Sequence, residues 1–392
     1  MLGPDLGCGP GARPDASRPL ERWPYLQSVT DTTATVVWGA GGTGHTGKLL
    51  WGEPVRELVG MPDFIQGSDS EPLTLFRATI GGLTPGSTVC YAVEVDGVVR
   101  MSGLVLHTAP TDAEAVVDFI ALGDMGSGTE SQLALRDQIA LREGIDLWFT
   151  TGDNAYGSGT YSQLQHNAFE VYEGLWHGVP VFPTPGNHEY YTDNAQPYLR
   201  NFVLPRNAWR PEDAERYYST DFGPIHFVGL DSEGAITEVT DGPGDDMVDW
   251  LAADLSATTQ PWKIAAWHHP PYEGHPSRGP DIATLTKVVP VLERFGVQLV
   301  LLGHNHYYER MGPIRDGERS SLAEGGITYV IVGGGGASLY PVEPWPLQEV
   351  GISVHSFLVG QASECTLRGE AFDITGASID AFTLQRCGHD DP

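Results

Sequence analysis

The sequence predicts two folded parts of different class: an α/β layered domain of mixed β-sheets flanked by helices, preceded by a small all-β sandwich. Three observations carry this. Between Trp23 and His107, short runs of β-branched and aromatic residues are separated by Gly, Pro and Asp turns, and no helical period interrupts them. From Val116 onward, apolar strands end in Gly-rich turns and several lead into stretches of helical spacing. The chain has 392 residues, which at roughly 100–200 residues per domain is enough for more than one core.

In order, the all-β part is read as strands at Tyr25–Val29, Thr33–Trp38, Lys48–Trp51, Leu73–Ile80, Val89–Val95 and Gly103–Thr108. The stretch Gly82-Leu83-Thr84-Pro85-Gly86-Ser87-Thr88-Val89-Cys90-Tyr91 resembles the loop into the sixth strand of fibronectin type III domains, with Val89 where their corner tyrosine is usual. Residues 109–115 read as a linker. Val116–Leu122 then runs into Gly123-Asp124-Met125-Gly126, a helix follows over Glu130–Arg142, Asp146–Thr150 runs into Gly152-Asp153, and Val179–Thr184 into Gly186-Asn187-His188-Glu189. Later strands are expected at His226–Leu230, Trp262–Trp267, Val297–Leu302 and Ile327–Val332, and helices at Asp245–Leu255 and Ile282–Phe295. Residues 354–387 add antiparallel strands that would close one sheet. The expected organisation is an extension over 1–21, a β-domain over 22–110 and an α/β domain over 111–392.

Composition narrows the function. Acidic residues outnumber basic ones 51 to 22, a net charge of -29. Nucleic acid and anionic bilayers both require basic surface, so this balance argues against a nucleic-acid scaffold. The lysines, Lys48, Lys263 and Lys287, are scattered, and no apolar run approaches the roughly 18 residues of a membrane helix. Cys8, Cys90, Cys365 and Cys387 lie outside every CxxC or His-paired zinc spacing, leaving disulfides or buried thiols. Cys365 and Cys387 flank two strand-like runs, Cys365–Phe372 and Ala377–Gln385, whose hairpin would bring them together, and Cys8 with Cys90 is the remaining pair. No signal peptide is visible after Met1; the expectation is an exported mature protein, secreted or periplasmic, whose leader is missing.

In α/β sheets, loops at the carboxyl ends of strands converge on one crevice. Here those ends supply Asp124, Asp153 with Tyr156, Asn187 with His188, His268 with His269, and His304 with His306. Alone, Gly-Asp-x-Gly is more often a solvated turn, Asn187 a helix cap, and His268-His269 a polar strand edge. The His-x-His pair leaving a buried strand is stronger, because alternate residues point the same way. Together they make a nitrogen and oxygen donor set without sulfur, suited to iron, zinc or manganese and sufficient for two ions. Gly333-Gly334-Gly335-Gly336 has neither a following Lys-Ser/Thr nor a GxGxxG pattern, so it reads as a tight turn beside the site. Trp148, Trp176, Trp209, Trp250, Trp262 and Trp267 read as core.

The blocks Gly-Asp-x-Gly, Gly-Asp-x-x-Tyr, Gly-Asn-His-Glu, a strand ending in His, and Gly-His-x-His, in this order over Val116–Arg310, resemble the purple acid phosphatases within the calcineurin-like metallophosphoesterases. Arg22-Trp23-Pro24-Tyr25-Leu26-Gln27 is similar to the start of the N-terminal β-domain of plant-type and bacterial members. The resemblance implies one metal site from Asp124, Tyr156 and His306, a second from Asn187, His268 and His304, and Asp153 bridging them. It implies Fe(III) at the tyrosine site, Fe(II), Zn(II) or Mn(II) at the other, and a visibly coloured protein. It implies His188 and His275 as proton handlers, Glu189 as a support for the loop, and Glu309 with Arg310 as a structural ion pair. The expected activity is that of an acid phosphatase, hydrolysing small phosphate monoesters with a hydroxide activated by the two metals. A phosphodiesterase or nucleotide pyrophosphatase with the same centre, and more remotely a non-catalytic binding protein, are the alternatives; the oligomeric state stays open.

Overall fold

A computed structural model describes residues 6–8, 20–66, 71–111, 115–234 and 243–387, with the backbone alone for 243–245. Most of the expected extension and linker residues 112–114 lie outside these. Seven strands come first: β1 (Arg22–Gln27), β2 (Thr33–Gly41), β3 (Gly47–Trp51), β4 (Arg56–Gln66), β5 (Pro72–Gly81), β6 (Thr88–Val95) and β7 (Val98–His107), hydrogen-bonded in the order β1-β2-β5-β4-β3-β6-β7. Strand β4 folds this ribbon into a sandwich. Its first half, Arg56–Gly60, pairs with β3, and its second half, Met61–Gln66, pairs with β5. Trp38 and Phe76 are fully buried between the two faces, each contributing roughly 1.5–3 kcal/mol of burial or more. Sequence reading missed β4 because only Gly60 and Ile65 along it are buried, so no alternation marks it.

The second part is built in chain order from β8 (Val117–Leu122), β9 (Leu147–Thr151) and β10 (Val181–Thr184). It then crosses to β11 (Tyr218–Phe222), β12 (Ile225–Gly229), β13 (Trp262–Trp267), β14 (Leu299–Leu302), β15 (Tyr308–Arg315), β16 (Glu318–Arg319), β17 (Ile327–Val332) and β18 (Gln348–Ile352). Finally β19 (Ser356–Ala362), β20 (Thr366–Asp373) and β21 (Ser378–Gln385) return to the first sheet, whose order is β10-β9-β8-β19-β20-β21. The expected antiparallel closure by residues 354–387 is therefore present. The other sheet runs β11-β12-β13-β14-β17-β15-β16, with β18 on β15. The two sheets face each other: Phe149 of β9 stacks on Phe227 of β12 at 4.0 Å, and the Tyr218 hydroxyl donates to the Pro183 carbonyl.

Helices Glu130–Ile139, Glu170–Trp176 and Pro243–Ala257 follow or precede these strands, and one through Thr284–Val288 and Val289–Phe295 leads into β14. The helical run from Tyr161 to Trp176 falls where the sequence had no legible motif. Trp148, Trp176, Trp250, Trp262 and Trp267 are buried as expected, whereas Trp209, on a loop, is 56% exposed.

Cys8 bonds Cys90 and Cys365 bonds Cys387, with Cα separations of 5.9 and 5.1 Å, so the thiol alternative is set aside. The first bond ties the segment of Leu6, which packs with Leu50 and Ala92, to β6. The second closes the β20–β21 hairpin. Two disulfides are consistent with an extracellular location. No helix among the described residues is long and apolar enough to cross a membrane.

Candidate metal centre

Parallel pairing aligns the strand ends that matter. Leu122 pairs with Thr150, Thr151 with Thr184, and Trp267 with Leu302. Asp124, Asp153, Asn187, His268 and His304 thus leave the sheets within one to three residues of aligned positions. Asp124, Asp153 and His304 have φ of 56°, 51° and 66°, a left-handed backbone that costs a non-glycine residue energy and clusters at functional sites. Glycine is required where the ends meet: a Cβ on Gly186 would sit 2.3 Å from Asp153 Oδ1.

The seven donors fall into two groups. The Tyr156 hydroxyl lies 2.9 Å from Asp124 Oδ1 and 3.0 Å from His306 Nε2, and His306 Nε2 lies 3.2 Å from Asp124 Oδ1. In the other group, His268 Nε2 lies 3.0 Å from Asn187 Oδ1, 3.2 Å from His304 Nδ1 and 3.3 Å from Asp153 Oδ2. One donor atom each from Asp124, Asp153 and His268 gathers within 4.8 Å, which joins the groups through Asp153 and His268.

A second layer turns the right atom inward. His268 Nδ1–H donates to the Thr151 carbonyl and His306 Nδ1–H to the Ser338 carbonyl, at 2.8 and 2.7 Å, so each presents Nε2 to the cluster. His304 is reversed, with Nδ1 inward and Nε2 toward Arg278. Asn187 Nδ2 donates to the Tyr191 hydroxyl at 2.9 Å, which leaves Oδ1 facing His268. Buried Glu189 accepts four backbone N–H groups: Asp153 and Gly186 on one oxygen, Asn154 and Ala155 on the other. It fixes the two turns to each other, the support the resemblance implied.

The charges in the pocket strongly perturb one another. Burial pushes the Asp153 carboxyl up, but the neighbouring His268 charge overrides it and holds Asp153 below the usual carboxylate range. Burial likewise opposes charging His268, yet Asp153 lifts that imidazole to about 10. Burial and then Asp124 push the Tyr156 phenol well up. Two carboxylates, a phenol, an amide oxygen and three imidazoles thus share a pocket in which His268 is drawn into carrying the positive charge. Hard and borderline first-row ions suit that donor set.

The remaining candidates separate. His188 donates Nδ1–H to the Gly157 carbonyl at 2.7 Å, turning Nε2 to within 3.8 Å of Asp153 Oδ2. His275 is on the rim, its ring 5.7 Å from that of Tyr340, which in turn stacks on His306 at 4.1 Å. His269 stays beside the cluster, one of its ring nitrogens gathering within 4.8 Å of those of His268 and His304, and contacts the Ser232 hydroxyl at 2.9 Å; burial and the nearby His268 charge lower it to about 3. The expected Glu309–Arg310 pair does not form, because adjacent strand residues point to opposite faces. Arg310 pairs with Asp380, while Glu309 accepts from the Gly274 backbone, Trp345 and Gln348. Trp345 therefore pins a loop. The tetraglycine turn does lie at the site: a Cβ on Gly333 would be 2.8 Å from Asp124 Oδ2. Sequence reading missed Tyr191, Arg278 and Tyr340; each sits in a loop, and only Tyr191, one turn beyond Asn187, had a positional signal.

A family model described as calcineurin-like phosphoesterase matches residues 117–308, which include every donor above. Over these residues the chain carries a calcineurin-like phosphoesterase domain. Several of the proteins it is similar to are purple acid phosphatases. Purple acid phosphatase 21 of Arabidopsis thaliana is 28% identical over 232 residues, covering 56% of this chain and 50% of the relative. Probable inactive purple acid phosphatase 24 of the same plant is 26% identical over 323 residues, covering 69% and 51%. The chain thus spans about half the length of these relatives. A purple acid phosphatase from yellow lupin seeds superposes with a TM-score of 0.80 at 20% identity, over 95% of this chain and 74% of that one, and shares its fold.

Proposed function

We propose that this phosphoesterase is a phosphomonoesterase of the acid phosphatase type with a binuclear centre. Asp124, Tyr156 and His306 would hold Fe(III), Asn187, His268 and His304 a divalent Fe, Zn or Mn, and Asp153 both. The observation that carries it is the division of seven nitrogen and oxygen donors into two groups that meet at Asp153. A phenolate favours the trivalent ion, and neutral Asn187 with two imidazoles the divalent one. When bound, two such ions supply an activated water nucleophile near neutral pH and positive charge for the phosphoryl oxygens.

The chain's own residues do the rest. His188, its Nδ1–H committed to the Gly157 carbonyl, directs Nε2 at the pocket and in its protonated form gives that proton to the departing oxygen. His275 acts from the rim on the same oxygen. Glu189 and Tyr191 keep Asp153 and Asn187 aimed. In this reading the β-domain spans 22–110 and the catalytic domain 111–392, and the protein works outside the cytoplasm, as the disulfides favour. The retained donor set speaks for an enzyme over a non-catalytic binding protein.

The test is turnover of phenyl phosphate against bis-phenyl phosphate by iron-loaded protein, with metal analysis and a visible spectrum. Preferred turnover of the monoester, two metals per chain and a visible absorption are expected. A large preference for the diester would move the reading to a phosphodiesterase, and a single metal per chain would overturn the binuclear centre.

A further inference from the structure

Beside the metal centre, on the outer side of His304, lies a cleft of about 270 Å³ lined by His269, Pro270, Arg278, Pro280, Asp281 and His304, among others. Arg278 is its cation. Nη1 lies 2.6 Å from His304 Nε2 and donates to the His304 carbonyl at 3.3 Å, and the guanidinium lies 4.5 Å over the Tyr340 ring. Nε and Nη2 have no protein partner among the described residues, and no described carboxylate comes within ion-pair distance, although acidic residues outnumber basic ones 51 to 22. The acid in the cleft is already engaged: Asp281 Oδ1 accepts the Thr284 N–H at 2.7 Å. Glu273 clamps the loop on both sides of Arg278, accepting the His275 and Gly279 backbone N–H groups. An exposed arginine held by its loop, stacked and without a counterion among the described residues presents its planar fork to an anion from outside.

The arginine lies one imidazole ring from the metal donors, since the His304 ring sits between His268, 3.2 Å from its Nδ1, and Arg278, 2.6 Å from its Nε2. A phosphoryl group held at the centre would therefore place a short, anionic leaving group against the guanidinium. We propose that Arg278 is a specificity residue that binds a second anionic group, so that the preferred substrates are phosphoanhydrides or phosphate esters whose leaving group carries a phosphate or carboxylate. The inference rests on the proposed hydrolysis, in which water places its hydroxyl on phosphorus as the P–O bond breaks, protonated His188 gives its proton to the departing oxygen, and the proton released by the water restores His188.

Two measurements on metal-loaded protein test it: calorimetric binding of methylenebisphosphonate, and kcat/KM for adenosine diphosphate relative to phenyl phosphate. Arg278→Ala is expected to weaken bisphosphonate binding and to lower the kcat/KM ratio, each by at least about tenfold, as for loss of a charge-assisted pair. Metal content should stay at the wild-type value, and Arg278→Lys should restore part of both. Bisphosphonate affinity within about threefold of wild type, less than 1 kcal/mol, would overturn the proposal, as would equal losses on both substrates. If wild type hydrolyses neither substrate yet binds bisphosphonate through Arg278, the hydrolase reading fails and the anion site stands. If it hydrolyses phenyl phosphate while Arg278 is irrelevant to bisphosphonate, the anion site alone fails.

Discussion

Glu189→Gln is nearly isosteric and removes what the carboxylate does. In the native site its two oxygens accept four N–H groups, from Asp153 at 3.1 Å, Gly186 at 2.7 Å, Asn154 at 2.9 Å and Ala155 at 3.2 Å. A glutamine has one accepting oxygen, and its NH2 group only donates. Whichever way the amide turns, two of the four donors face another donor. Each buried unsatisfied N–H costs about 1–3 kcal/mol, or ~2–6 kcal/mol for the pair. Part is offset, because burial and the adjacent Asp153 charge push the native carboxyl up, and the amide relieves that repulsion. We expect a net destabilisation of about 2–4 kcal/mol in urea unfolding of the metal-free protein. The same change loosens the Asp153 and Gly186-Asn187 turns, so both metals should be lost together. A variant within about 0.5 kcal/mol of wild type, at the level of an ordinary surface substitution and with full metal content, would refute the reasoning.

Asp153→Asn should reduce metal content at both sites and most of the turnover with it, measured by elemental analysis beside rates; retention of one full equivalent would mean that Asp153 serves a single ion. Tyr156→Phe should abolish the visible absorption of iron-loaded protein while leaving the fold intact by circular dichroism, and an unchanged spectrum would move the chromophore elsewhere. His226, bonded to Asp221 at 2.6 Å and Asp254 at 2.8 Å, is opposed by burial but lifted by these two partners from 6.5 to about 9. Its folded value lies above the unfolded one, so its stabilisation is fully present below pH 6.5 and is lost as pH rises through about 9. The loss is about 3 kcal/mol, and His226→Gln should flatten the pH dependence of stability over that window.

Much of this was legible because parallel strands buried on both sides read as apolar runs, and the polar residue after each run belongs to the crevice. Asp124, Asp153, Asn187, His268 and His304 were all found that way. Strand β4 was not, since an edge shared by two sheets buries little of its length. Tyr340 and Arg278 were invisible for another reason: they reach the site only because Glu273, Glu309 and the Gly333 turn bend distant loops over it, and such tertiary anchoring leaves no local periodicity. Glu309 was misassigned because neighbours in a strand look adjacent in sequence yet face opposite ways.

The candidate centre draws Asp124, Asp153 and Asn187 from one sheet and His268, His304 and His306 from the other, with His304 donating its backbone N–H to Asp124 across 180 residues. A nascent polypeptide emerging from the ribosome would thus carry its carboxylate, phenol and amide donors well before any of the three imidazole donors. Cation capture would have to await docking of the two halves, making bound metal a readout of completed maturation.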